Sequence, residues 1–106
     1  MEGWTDCNRT LYLGWWWGKY VGKFKDFERH GQGIIFNYFG EIQHIGEFKD
    51  GWKDGYGTHI YYNKGGDSDK YIGEWKRGRK HGQGTYTYAD GTIEKGLWEN
   101  DEFIGE

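Results

Sequence analysis

The sequence predicts an all-β protein, a single elongated and twisted antiparallel β-meander of seven to nine short strands. Three observations lead there. The chain writes nearly the same line three times, as Tyr20-Val21-Gly22-Lys23-Phe24, His44-Ile45-Gly46-Glu47-Phe48 and Tyr71-Ile72-Gly73-Glu74-Trp75, and opens a fourth at Gly96-Leu97-Trp98. The matched glycines Gly22, Gly46, Gly73 and Gly96 lie 24, 27 and 23 residues apart, a period that signals a stacked array. Composition agrees: 20 glycines, no proline and 21% aromatic residues in 106 describe short strands, tight turns and rings covering them. Ala89 is the only alanine and Leu11, Leu13 and Leu97 the only leucines, so helix has little support.

Taken in order, residues 1–19 read as a degenerate N-terminal cap. Leu11 to Leu13 stand where the second strand of a worn repeat belongs, and Trp15-Trp16-Trp17 either cover the open end of the sheet or expose a ring as a contact anchor. Residues 20–43 form repeat 1, with the glycine pair Gly31-Gln32-Gly33. Residues 44–70 form repeat 2, with Gly55-Tyr56-Gly57 and a longer loop over Asn63 to Lys70. Residues 71–93 form repeat 3. There Tyr71, Gly73 and Trp75 share one face at period two, Gly78 to Gly82 supplies a turn, and Thr85 to Tyr88 resumes strand residues. Asp90-Gly91 gives a two-residue hairpin signal. Residues 94–106 are a partial C-terminal repeat within the same domain. A glycine at the centre of each first strand weakens it, and its recurrence points to a ring that a Cβ would block.

These residues resemble the MORN repeat family, whose unit runs Tyr-x-Gly-x-Trp/Phe, a charged turn, His-Gly-x-Gly and a closing Asp-Gly. Tyr71 to Gly91 fits nearly throughout. Repeat 1 keeps His30-Gly31-Gln32-Gly33 but has Phe27 at the turn glycine. Repeat 2 has His44 for the opening tyrosine and Asp54 for the histidine, and the last copy has Asp101 at the turn glycine. The resemblance implies stacked hairpins acting as a scaffold or tethering module.

The functional reading is a non-catalytic protein-interaction module. Apolar residues at both parities of the second strands predict one packed side and one aromatic groove partly open to solvent, with contacts among Tyr20, Phe24, Phe48, Tyr71, Trp75, Tyr86 and Trp98. The partner is an unidentified protein. Two alternatives stand beside it. Lys76, Arg77, Arg79 and Lys80 at one turn suit an anionic phospholipid or phosphoinositide surface, and the aromatic repeats suit a carbohydrate. A net charge of −3 gives no reason to expect nucleic acid. No nucleophile elbow or phosphate loop is present, so no catalytic residue and no cofactor is assigned. His30 and His81 follow the repeat, His44 and His59 replace strand aromatics, and Asp67-Ser68-Asp69 lacks the rest of a calcium loop, so no metal is expected. The single Cys7 and the lack of a signal segment lead to a cytoplasmic expectation. Glu99, Asp101, Glu102 and Glu106 would repel their own copies at a paired edge, which predicts a monomer.

Overall fold

The computed structural model describes residues 7–12, 18–63 and 65–105, with the side chains of residues 7–12 left aside. Among the described residues nine strands form one sheet: β1 Cys7–Tyr12, β2 Lys19–Lys25, β3 Glu28–Phe36, β4 Ile42–Lys49, β5 Trp52–Tyr62, β6 Ser68–Lys76, β7 Arg79–Thr87, β8 Ile93–Glu99 and β9 Glu102–Gly105. Their spatial order is their sequence order, and every neighbouring pair is antiparallel. The predicted meander is therefore observed. Its radius of gyration is 14.7 Å, with extents of 48 × 30 × 15 Å, against about 13 Å for a compact domain of this length. Among the described residues no helix is long and apolar enough to cross a membrane.

Register is set by glycine. Gly22, Gly33, Gly46, Gly57, Gly73, Gly84 and Gly96 face one another across seven consecutive strands. A Cβ on Gly33 or Gly84 would collide with the phenol of Tyr20 or Tyr71. The opening residue of each repeat thus lies along the row and closes the sheet's own surface. Tyr20 Oη donates to the Lys23 carbonyl and Tyr71 Oη to the Glu74 carbonyl, each at 3.0 Å. Trp75 and Trp98 reach back and donate Nε1–H to the carbonyls of Gly57 and Gly84, both at 3.1 Å.

Rings then pack on rings. Tyr20 sits edge-on between Phe24 and Phe48, His44 between Phe48 and Trp75, and Tyr71 between Trp75 and Trp98, with centroids 5.0–5.6 Å apart. Edge-to-face pairs of this kind contribute about 0.5–1.5 kcal/mol beyond burial. A continuous zigzag of rings from Phe24 to Trp98 is what a single layer has for a core.

The turns depart from the sequence reading in three places. Two-residue hairpins fall at Asp26-Phe27, Asp50-Gly51, Arg77-Gly78 and Asn100-Asp101, all with positive φ, as a type I′ turn requires. Arg79 to Gly82, expected as turn, is therefore strand, with Gly82 absorbing a bulge at φ 76°. Asp90-Gly91 lies inside a longer connection, residues 88–92. There Tyr88 N–H bonds the Thr92 carbonyl and Gly91 N–H the Tyr88 carbonyl. Connections 37–41 and 63–67 repeat that bond pair. The longer loop expected over Asn63 to Lys70 is consequently no longer than its counterparts. Its extra residues lengthen the strands, pairing Tyr62 with Ser68 and Tyr61 with Asp69, because a paired backbone satisfies groups that a loop would leave to water.

Each hairpin is also stitched to the one before it. Gly51, Gly78 and Asp101 donate their N–H groups to the carbonyls of Arg29, Lys53 and Lys80, at 2.9, 2.8 and 3.1 Å.

Candidate functional site

The zigzag of rings defines an aromatic face. On the opposite face Val21, Ile34, Ile45, Thr58, Ile72 and Thr85 stand in direct register across six strands, with Ile45 and Ile72 exposed. Six of the seven aromatics expected to line a groove are core. Tyr20, Phe24, Phe48, Tyr71, Trp75 and Trp98 are at most 6% exposed, because each ring is roofed by its neighbours in the next repeat. Tyr86 is half-buried, and its ring continues into Tyr61 at 5.6 Å and Tyr88 at 4.6 Å. Phe103, also half-buried, adds a ring 5.1 Å from Trp98. Among the described residues these four half-buried rings extend the aromatic face toward solvent, from β5, β7, the 88–92 connection and β9.

Asp69 anchors this strip. Its carboxylate accepts Tyr86 Oη–H at 3.0 Å and Ala89 N–H at 2.9 Å. The calcium-like spacing at residues 67–69 thus has one acid already committed to the sheet. Burial first, and then the bond to Asp69, push the Tyr86 phenol well above its ordinary range.

Sequence reasoning missed a series of cations on the same face. Arg29 lies over Tyr20 and Phe48 at 5.8 and 5.2 Å, and Lys53 over Trp75 at 4.8 Å. Lys80 lies among Tyr61, Tyr71, Tyr86 and Trp98 at 5.3–5.9 Å. The signal was present, since each stands two residues before a bulge glycine, at Gly31, Gly55 and Gly82. A charge in a turn reads as solvated, yet a ring face attracts a cation and the stem covers apolar surface. Burial lowers the pKa of Arg29 and of Lys53, with Arg29 the next cause for Lys53. Lys80 was expected beside Lys76, Arg77 and Arg79 at a membrane-facing turn. Its side chain is 12% exposed and pairs with Asp101 at 3.8 Å, so it leaves that group. Lys76, Arg77 and Arg79 remain exposed, around an open hollow of about 570 Å³ with Trp52, His81, Glu99 and Asn100.

His44 and His59 meet in repeat 2, their Nδ1 atoms 3.1 Å apart. His44 is fully buried and its Nε2 has no hydrogen-bond partner. Burial, then nearby Lys53, push the pKa of His44 down to about 2 and that of His59 to about 3. Among the described residues no group of three His, Cys, Asp or Glu side chains is placed to hold a metal. Trp15 to Trp17 and Glu106 lie outside the described residues.

The family model for the MORN repeat matches residues 44–66 and 71–93. These two stretches are MORN repeats. Comparison with curated proteins gives no match. The MORN geometry also continues beyond the matched residues. In repeat 1, Tyr20 covers Gly22 and Gly33 as Tyr71 covers Gly73 and Gly84. Within the MORN unit the glutamate after the central glycine has a definite task. Glu47 accepts the bulge N–H of Tyr56 at 3.0 Å, and Glu74 that of Gln83 at 3.2 Å. A repeat of this family is generally a binding or scaffold module, and the array here has two broad faces to offer.

Proposed function

We propose that the module is a non-catalytic scaffold that binds an extended segment of a partner protein along the half-exposed part of its aromatic face. The observation that carries this is the strip Tyr61, Tyr86, Tyr88 and Phe103. These flat rings are held in place by Asp69, Glu94 and the core beneath. Ordered tyrosines supply contact area at small entropy cost and keep a polar tip for hydrogen bonding. The groove thus moves outward from the seven rings first expected, with Tyr86 retained. Selecting extended peptides from a display library on the folded chain tests it. Tyr86→Ser should weaken the selected peptides roughly tenfold, as loss of an interface anchor does. Ile45→Ser, on the opposite face, should leave them unchanged. The reverse pattern, with circular dichroism intact, would sink the reading.

A second reading rests on the exposed Lys76, Arg77 and Arg79 around Trp52. Each basic residue near an anionic bilayer contributes about 1 kcal/mol. Pelleting with phosphatidylserine vesicles that is salt-sensitive and lost in Arg77→Gln/Arg79→Gln supports it. Equal pelleting with neutral vesicles would exclude it. No feature on the described residues favours carbohydrate.

A further inference from the structure

Three successive steps of the array carry their own cation. The strand partner of Phe24 is Arg29, that of Phe48 is Lys53 and that of Trp75 is Lys80. All three cations lie over rings of the aromatic face. At the fourth step the partner of Trp98 is Phe103, which stands two residues before Gly105 as each cation stands before its bulge glycine. Lys80 already lies over Trp98 at 5.5 Å, so what this step lacks is the further cation that Phe103 replaces beyond Trp98.

The surroundings of that step are built for positive charge. An open pocket of about 540 Å³ is lined by Tyr86, Tyr88, Trp98 and Phe103, with Lys80 and the acids Glu94, Asp101 and Glu102. Asp101 is engaged by Lys80. Glu94 holds the Tyr88 hydroxyl at 2.8 Å, and Glu102 is exposed. One lysine against three carboxylates leaves the lining net negative. Ring faces attract cations through their quadrupole, and carboxylates at the rim add a charge that aliphatic side chains cannot answer.

We propose that this pocket receives a basic side chain of the partner segment, a lysine, methylated lysine or arginine. That side chain would lie among Phe103, Tyr86 and Tyr88, at the step where Phe103 takes the register position that Arg29, Lys53 and Lys80 hold at the other three. The proposal deepens the aromatic-face reading above and rests on it. It also gives that reading a direction: the basic residue sits at the β8–β9 end, with the rest of the segment running toward Tyr61.

Titration of the intact chain with blocked amino acids, followed by NMR of the aromatic resonances, tests it. The probes are the Nα-acetyl methylamides of lysine, trimethyllysine, arginine and norleucine. The three cations should shift Tyr86, Tyr88, Trp98 and Phe103 and saturate in the millimolar range expected of a single contact, while norleucine shifts none of them. Phe103→Lys, which places an ammonium at the register position of Lys53 and Lys80, should abolish the shifts with the β signature retained. Exposed Glu102→Gln is the milder variant. It should weaken binding roughly threefold at low salt, the effect shrinking as salt rises. Equal shifts from norleucine, shifts centred elsewhere, no shift, or full binding by a folded Phe103→Lys would each overturn the proposal. Selected peptides that depend on Tyr86 but bind Phe103→Lys undiminished would defeat the cation pocket and leave the wider reading standing. Cation shifts at the pocket with peptides indifferent to Tyr86→Ser would do the opposite.

Discussion

Repeats 2 and 3 share one backbone and differ in the chemistry laid upon it. In repeat 3 the row position is held by Tyr71, whose hydroxyl passes over Gly73 and Gly84 to the Glu74 carbonyl, and by Tyr86, whose hydroxyl ends on Asp69. In repeat 2 the same register positions are His44 and His59. The His44 ring is wedged by Phe48 and Trp75 much as Tyr71 is wedged by Trp75 and Trp98, and the His59 ring also meets Trp75. The imidazole is shorter, so it meets its neighbour instead of a carbonyl, and one nitrogen is left unanswered. An array can therefore keep its packing while one unit becomes titratable. Stability in such an array is a sum over units and their contacts, which makes the middle unit the place where it gives way.

The largest expected effect breaks the comparison at its glycines. Gly84→Ala drives a methyl into the Tyr71 phenol, whereas Gly57→Ala meets the smaller edge of His44. Overpacking of this kind costs about 1–3 kcal/mol. Gly84→Ala should fall at the upper end and Gly57→Ala clearly below it in urea unfolding. Equal costs would mean that the row is not set by what lies over it.

Acid comes next. The His pKa values of about 2 and about 3 lie below the ordinary 6.5, so the folded state holds both rings neutral. That contribution is whole above pH 6.5 and is lost as pH falls from there toward the folded values. At about 1.4 kcal/mol per unit, each ring held neutral while the unfolded chain takes up a proton should cost roughly 2–3 kcal/mol by pH 4.5, and the two together up to about twice that. Denaturant midpoints measured from pH 7 to 4.5 check it, and a flat profile across that window would contradict it.

A smaller effect sharpens the same point. His44→Tyr restores the ring found in repeats 1 and 3 and should reach the Glu47 carbonyl. One satisfied buried hydrogen bond is worth about 1 kcal/mol. The variant should gain about that much at pH 7 and lose part of the acid sensitivity. A destabilised variant with unchanged pH dependence would show that His59 alone carries the effect. The smallest expected signal is no change at all. With Glu99, Asp101 and Glu102 along the β8–β9 turn, we expect a monomer at neutral pH. Light scattering giving a dimer mass, with the contact on residues 92–106, would show that edge charge does not prevent pairing.

The meander was legible because its two signals are local: alternation within five residues and a glycine at each centre. Turn placement was less so, since Gly78 and Gly82 look alike in sequence while one ends a hairpin and the other absorbs a bulge inside β7. The extra residues of repeat 2 look like loop because Gly65, Gly66, Asp67 and Ser68 are loop formers, yet cross-strand pairing to Tyr61 and Tyr62 decides. The face bearing the rings was correct, but burial of Tyr20 or Trp75 depends on rings more than 20 residues away. Arg29, Lys53 and Lys80 were hidden for the opposite reason: their charge outweighed their position in a reading by composition. Only Lys80 had been singled out, and for an anionic lipid surface.

Hydrogen exchange resolved by strand at pH 7 and pH 5, corrected for the intrinsic rate, tests the central claim most directly. The account predicts that the amides of β4 and β5, around His44 and His59, lose protection at pH 5 before those of β6 and β7, where Tyr71 and Tyr86 hold the same positions. Loss of protection that is uniform along the sheet, or that begins at β6 and β7, would contradict it.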